Sequence, residues 1–545
     1  MRNIESIIIG INFFILGLIF CCKIDSIDIL INIINITLFM IKMLLKILRV
    51  KEDKRDYVQL RIYEIMPGFA AWFTLIFCIV IAIAKPIWGI YFIIVLDVYW
   101  VVRIYYMFIF LLSSWFKYMK AKRIDWRAKR LACKNWENYI HLVALPTYKE
   151  PYSVVKDTFD KLIESDYDKD KMIITLGGEE GDKDNFLKIA EKIKSEFDGK
   201  FKDIVVTVHP RGIPGEIPGK GSNMYHIGTE MYKYFLEKNI DISKVIISMF
   251  DIETWPDKQY FNCLTYKYLT MDNPERFSYQ PLVLFNNNVW KSNPIIRVVA
   301  HSTTYWLLTD LSRPERLFTF SSHSMSFKAL VEVGFHPRDI VTEDTRIFLH
   351  ALNHFNGNYR VCPMYTPVSM QTVDLGNFFE SLKNQYIQIR RWGWGVEHFP
   401  WMMTKLIPNK KIPFAQKFKY LFNQAEGTYS WATLPILILT MGKLPIFVAD
   451  MKIHYDVIIH NAPILLKYIM QFGMTGIFAI ASLNFFFLPK KPKNVSWLVY
   501  PIMAIQWILF PFTMIFFGSI PALEAQTRLM LGGKYRLGFQ VTKKT

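Results

Sequence analysis

The chain has 545 residues, of which 52% are hydrophobic and 16% aromatic, and its formal net charge is +18. This length leaves room for two or three domains, and the blocked distribution of apolar residues argues against a wholly soluble enzyme. The charge does not point to nucleic acid, because the basic residues stand beside the apolar blocks: Arg49, Lys51, Lys54 and Arg55, then Lys117, Lys120, Lys122, Arg123, Arg127, Lys129 and Arg130. Positive residues at such places mark the cytoplasmic ends of membrane spans and attract anionic headgroups. Residues 6–22, 27–48, 66–84 and 86–115 form four apolar blocks, most of them near or above the roughly 20 residues a bilayer core requires. The first is expected to be a retained helix rather than a cleaved leader, since further spans follow it. Four spans would begin and end in the cytoplasm, which puts the central region in the cytosol.

Residues 136–375 alternate short β-rich runs with amphipathic stretches, the pattern of an α/β domain with a largely parallel sheet. Strands are predicted at 139–145, 171–176, 203–208 and 244–250, with helices at 152–165 and 184–197. Ligands of such sheets bind beyond the carboxyl ends of the strands. The segments there are Pro146-Thr147-Tyr148-Lys149-Glu150, Gly177-Gly178-Glu179-Glu180, Gly219-Lys220-Gly221-Ser222-Asn223 and Asp251-Ile252-Glu253. No GxGxxG follows the first strand and no GxxxxGK[ST] occurs, which removes support for dinucleotide and P-loop readings. An amphipathic, Trp- and Phe-rich stretch follows at 378–406, and apolar blocks return at 429–449, 457–488 and 496–520. Three C-terminal crossings do not agree with the cytosolic C-terminus that the basic residues Arg528, Lys534 and Arg536 suggest. A hairpin or re-entrant piece within 457–488, or one block lying flat, is therefore expected. The six cysteines show no CxxC or metal-ligand spacing and are assigned no function.

Four groups of residues carry chemistry. Asp251 and Glu253 flank one residue after an apolar run, so on extended chain both face one way, as ligands of a hard cation such as Mg²⁺ or Mn²⁺; a solvated strand corner is the equal alternative. Lys220 lies between glycines before a helical run, where a phosphate would be attracted, although a surface lysine in a turn has the same appearance. Thr342-Glu343-Asp344 precedes an amphipathic segment, so Asp344 is a candidate general base, while capping by Thr342 or Asp344 is the commoner use of such residues. Gln388, Arg391 and Trp392 suit either an interfacial helix or a platform for diphosphate and sugar. His301, His323, His336, His350, His354 and His398 match no zinc pattern and are read as structural.

In series, these motifs resemble the membrane-embedded family-2 glycosyltransferases, which include cellulose, chitin and hyaluronan synthases. The likeness runs from the N-terminal spans to Phe539-Gln540-Val541-Thr542-Lys543-Lys544, which is similar to the FxVTxK gating loop of cellulose synthases. It implies a cytosolic GT-A (Rossmann-like) α/β domain between N- and C-terminal transmembrane blocks, with amphipathic interfacial helices. The implied divisions are a transmembrane block at 1–116, a basic linker at 117–135, the GT-A domain at 136–375, interfacial helices at 376–425, a second transmembrane block at 426–522 and a tail at 523–545. Residue by residue, Asp251 and Glu253 correspond to the metal-binding acids and Asp344, with Thr342 and Glu343, to the catalytic TED motif. Thr147, Tyr148, Glu150, Glu179, Lys220, Asp251, Gln388 and Arg391 correspond to donor contacts, and Trp392, Ser321 and Ser322 to the acceptor side. Phe539, Val541, Thr542 and Lys544 correspond to the gate.

The departures are Asp-Ile-Glu in place of DxD, Gly178-Glu179-Glu180-Gly181 in place of DDG, and Phe318-Thr319-Phe320-Ser321-Ser322 in place of FFCGS. The implied activity is inverting, metal-dependent transfer from a nucleotide sugar, UDP-linked by the resemblance, to a growing polysaccharide at the inner membrane. The implied partners are membrane lipids and accessory export subunits. A non-processive enzyme acting on a lipid-linked acceptor, and a transporter or receptor with a ligand-binding domain, are the alternatives.

Overall fold

The computed structural model describes residues 55–452 and 457–538. The expected spans at 6–22 and 27–48 and the gating motif at Phe539, Val541, Thr542 and Lys544 lie outside the described residues. The chain divides into two compact units, Met1–Ile62 and Tyr63–Thr545; the described residues of the first are the opening turns of one helix, and the sheet and the site belong to the second.

Helix α1 spans Arg55–Ala84 and α2 spans Pro86–Lys122. Only Lys85 separates them. Proline cannot continue a helix that needs its amide, yet its fixed φ suits a first helical position, so the pair Lys85-Pro86 ends α1 and starts α2 at one point. At 1.5 Å per residue, the 30 residues of α1 reach about 45 Å, longer than a hydrocarbon core. Ile76, Ile79 and Ile83 of α1 and Val95, Val102 and Ile109 of α2 are exposed. That pattern suits lipid rather than water as the neighbour.

The central domain is built on one eight-stranded sheet in the order β3-β2-β1-β4-β7-β6-β8-β5. Its strands are β1 (Ile140–Pro146), β2 (Met172–Glu179), β3 (Asp203–His209), β4 (Val245–Met249), β5 (Trp255–Pro256), β6 (Phe277–Phe285), β7 (Ser324–Ser326) and β8 (Arg360–Met370). β1 is parallel to both β2 and β4, and β2 to β3; β7 runs antiparallel to β4 and β6, and β8 is parallel to β6. Alternation along the strands fills both faces: Leu142 and Ala144 of β1 join one apolar core with Ile173, Ile247 and Met224, while Val143 and Leu145 join another with Ile174, Ile246 and Phe159. Burial on both faces explains why these strands read as continuous apolar runs.

Connecting helices cover the sheet: α3 (Tyr152–Ile163), α4 (Lys183–Glu196), α5 (Lys220–Glu237), α6 (Tyr260–Thr270), α7 (Pro294–Leu311) and α8 (Glu343–His354). The four predicted strands and the two predicted helices are all present, with ends displaced by at most three residues. Helix α7 also fastens the domain to α2, where Ser114 Oγ donates to the Leu308 carbonyl at 2.5 Å and lies 2.6 Å from Ser312 Oγ.

The amphipathic stretch forms α9 (Phe378–Gly393) and then tighter and wider turns through Leu406. It does not simply lie on a surface. Ser381, Gln385 and Gln388 are buried, and Gly393 comes so close to the next element that an added Cβ would stand 3.0 Å from Ala522 Cα. The last helices are α10 (Phe414–Met441), α11 (Val457–Leu483) and α12 (Ile520–Leu531). Among the described residues, five helical stretches are long and apolar enough to cross a membrane: Arg55–Ala84, Pro86–Lys122, Phe414–Ala449, His460–Leu483 and Val499–Leu531. Helix α11 is unbroken, so the hairpin expected within 457–488 is absent. It packs closely on α2: a Cβ at Gly476 would stand 2.6 Å from Ile104 Cγ2, the small-residue contact by which membrane helices approach.

Candidate functional site

The site follows from the strand order. The chain proceeds from β1 outward to β2 and β3, and β4 then returns to the other side of β1, so the carboxyl ends of β1 and β4 diverge into a crevice. Asp251 lies two residues beyond β4. Its surroundings differ from the expected extended arrangement. The Thr254 amide donates to the Asp251 carbonyl at 2.9 Å, closing a turn, so simple alternation does not apply. Asp251 is partly exposed, whereas Glu253 is buried and its carbonyl accepts from Asn287 Nδ2 at 3.2 Å.

Lys220 stands at the first residue of α5. Gly219 before it has φ 151°, a value that favours glycine, and a Cβ at Gly221 would stand 2.8 Å from the Pro337 carbonyl and 3.1 Å from Glu343 Cβ. The glycines thus let the start of α5 press against the start of α8. As a result Lys220 Nζ lies 2.8 Å from Asp251 Oδ1, 3.0 Å from Asp344 Oδ1 and 3.5 Å from Glu343 Oε1. Burial opposes its charge, but Asp251, Asp344 and Glu343 outweigh burial and hold the ammonium well above the usual lysine range. Burial first, and then the Asp344 charge, push Glu343 up to about 7. One cation therefore joins three carboxylates from two separate chain segments.

The α8 start is not capped as expected. Thr342 makes no capping bond; its hydroxyl donates instead to Glu397 Oε1 at 3.1 Å. Glu397 lies just beyond Gln388, Arg391 and Trp392, and its carbonyl accepts from Arg346 Nη2 of α8 at 3.2 Å. Burial raises Glu397 to about 7 and lowers Arg346 to about 10. Sequence reasoning missed this residue: a lone glutamate in Gly395-Val396-Glu397-His398 has no motif, and only the fold brings it to Thr342. Thr319 was missed likewise; it donates to the Asp344 carbonyl at 2.6 Å and its own carbonyl accepts from Thr345 Oγ1 at 2.8 Å.

The other predicted residues distribute as follows. Ser321 Oγ donates to Asp251 Oδ2 at 2.5 Å, and Ser322, at φ 67°, lies 3.0 Å from Thr254 Oγ1 through its hydroxyl. Thr147 is buried with its hydroxyl on the Gly177 carbonyl at 3.1 Å, a tie between β1 and β2. Tyr148 and Glu150 form a local turn in which the Tyr148 amide donates to the Glu150 carboxylate. Glu179 faces His209 Nδ1 at 2.9 Å, while Glu216 approaches the other ring nitrogen at 3.0 Å. Gln388 accepts from Gln385 Nε2 at 3.1 Å and shares a small cavity with Trp392, Gln371 and Thr372; Trp392 packs on Phe285 with ring centres 5.9 Å apart. Arg391 is half-buried on the same helix. Neighbouring Arg390 anchors α9 to α12 through Glu524 at 2.7 Å. The buried histidines His323 and His336 stay neutral because burial lowers both, His323 to about 4.

No group of three or more His, Cys, Asp or Glu side chains among the described residues forms a metal cage. The donor set at Asp251 is nevertheless all oxygen and already holds a cation, the Lys220 ammonium, so it fits a hard metal that takes most of its ligands from water and phosphate.

No protein-family model and no curated protein sequence matches the chain. Solved structures with structural similarity include a mannosyltransferase from Pyrobaculum calidifontis in complex with GDP-Man and Mn²⁺, at 15% identity over 68% of this chain and 99% of that one, with a TM-score of 0.36. Another is S. aureus TarS 1–349 in complex with UDP-GlcNAc, at 11% identity over 63% of this chain and 91% of that one, with a TM-score of 0.31. At such scores the likeness assigns neither substrate nor mechanism.

Proposed function

We propose that the protein is an inverting glycosyltransferase that takes a sugar from a nucleoside diphosphate, UDP in the first instance, and adds it to a glycan at the cytoplasmic face of a membrane. The meeting of Lys220, Asp251 and Asp344 at the β1/β4 crevice carries this reading. A donor diphosphate is the ligand that a lysine at a helix start, beside a strand-end acid, is suited to receive. Asp344 removes the proton from the acceptor hydroxyl; that oxygen bonds to the anomeric carbon while the carbon–phosphate oxygen bond breaks, and the electron pair leaves with the diphosphate. Lys220 shifts from Asp344 to the diphosphate as the donor enters, which leaves Asp344 free to accept the proton. Asp251, with Glu253 two residues on, would hold Mg²⁺ or Mn²⁺, whose chemistry is to offset charge on the diphosphate.

Gln388 and Arg391 complete the donor side and Trp392 the acceptor side, and the membrane helices offer a route for product export. Purified protein given UDP-sugars and Mn²⁺ or Mg²⁺ should release UDP, and product length separates polymer synthesis from a single transfer to a lipid. UDP release by Asp344→Asn at the parental rate would remove Asp344 as base.

A further inference from the structure

A second cavity, of about 810 Å³, opens away from the β1/β4 crevice, between the start of β8, the segment after α7 and the first turns of α10. Arg360 and Lys419 line it, with Glu315 as its acid and Tyr420 and Phe277 among its apolar walls. Among the described residues neither Arg360 nor Lys419 has a carboxylate within ion-pair distance; Lys419 Nζ lies over the Tyr420 ring at 5.5 Å. The cavity therefore joins two cations to an apolar wall, the two halves of a phospholipid's own chemistry.

Its position indicates where the ligand comes from. Helix α10 begins the candidate span Phe414–Ala449. Phe414, Phe418 and Phe422 recur every four residues, stack with centres 6.1 and 5.9 Å apart, and are 76%, 55% and 55% exposed. An apolar stripe so open on the first turns of a span suits the bilayer interface. Ala415 and Lys419 each follow one of these phenylalanines by one residue, about 100° round the helix, so the cavity mouth lies beside the stripe. Lys410 and Lys411 lie four and three residues before the helix and add positive charge near its start.

We propose that this cavity binds the phosphate headgroup of an anionic membrane lipid, with Arg360 and Lys419 as the recognising cations. The site is independent of the glycosyl-transfer reading.

The test uses delipidated full-length protein in detergent, titrated with phosphatidylglycerol, phosphatidylcholine or inorganic phosphate, with bound lipid counted by native mass spectrometry. Phosphatidylglycerol should bind in preference to phosphatidylcholine. Arg360→Gln/Lys419→Gln should weaken it roughly 30-fold, which corresponds to about 2 kcal/mol at about 1 kcal/mol per basic residue. Glu315→Gln should strengthen it, and both side chains of the double variant are exposed, so folding is preserved. The proposal is overturned if phosphatidylglycerol binds no better than phosphatidylcholine, if the double variant retains it, if inorganic phosphate alone binds with the same dependence on Arg360 and Lys419, or if a co-purifying protein subunit seated on the Phe stripe blocks it.

Discussion

Replacing Lys220 by methionine keeps the side-chain length and removes one charge from the centre of three carboxylates. At 2.8 to 3.5 Å each pair has a gross attraction of about 5–6 kcal/mol at an effective dielectric of about 20. Desolvation of the ammonium cancels much of this, so the sum is not the cost of the change. What remains is the penalty for leaving the buried Glu343 and the partly buried Asp251 and Asp344 uncompensated, at most about 3–5 kcal/mol. For a cooperative unit the size of the α/β domain that is a fall in Tm of roughly 6–20 °C, measured by thermal unfolding of the purified protein in detergent at pH 8. Lys220→Met/Asp251→Asn should recover part of the loss, since removing one acid relieves the excess charge; a coupling of about 1–3 kcal/mol is expected for groups in contact. A Lys220→Met protein that melts with the parent, or a double variant whose losses simply add, would refute the claim that these side chains form one interdependent cluster.

Other changes probe its supports. Thr342→Val removes the bond to Glu397 and should cost about 1 kcal/mol of stability; it should also lower kcat more than it changes KM for the donor. Glu397 is raised to about 7, above its unfolded value, so its contribution is complete below about pH 4.5 and is lost as pH rises through 7. The parent should therefore lose roughly 2–3 kcal/mol between pH 5 and 8 that Glu397→Gln does not lose, read from Tm against pH. Gly178→Ala would drive a methyl group to 2.3 Å from the Phe186 ring, and an overpacking cost of about 1–3 kcal/mol follows; a Tm equal to the parent's would show that the ring moves freely.

The sheet was legible because its strands are buried on both faces and read as apolar runs with polar segments at their carboxyl ends. Lys220, Asp251 and Asp344 were legible one at a time, as a lysine among glycines and as acids next to an apolar run or a helix start. Their convergence was not, because it depends on Gly221 allowing two helix starts to touch. Spacing also implied extended chain from Asp251 to Glu253, whereas the Thr254 amide closes a turn there. The role of Thr342 was hidden for a similar reason: its acceptor, Glu397, is 55 residues away. The hairpin in 457–488 was one of two ways to reconcile three C-terminal crossings with a cytosolic tail; three candidate spans are present, and the continuous α11 removes the hairpin.

Release of nucleoside diphosphate from a panel of nucleotide sugars by the parent and by Asp344→Asn, with donor binding measured in parallel, tests both the transfer chemistry and the role of Asp344 as base. The parent should release it, the variant should lose about 10²-fold or more of that rate, in line with removal of a general base, and both should retain donor binding. Turnover by Asp344→Asn at the parental rate, or the absence of binding to any nucleotide sugar, would contradict the proposed function.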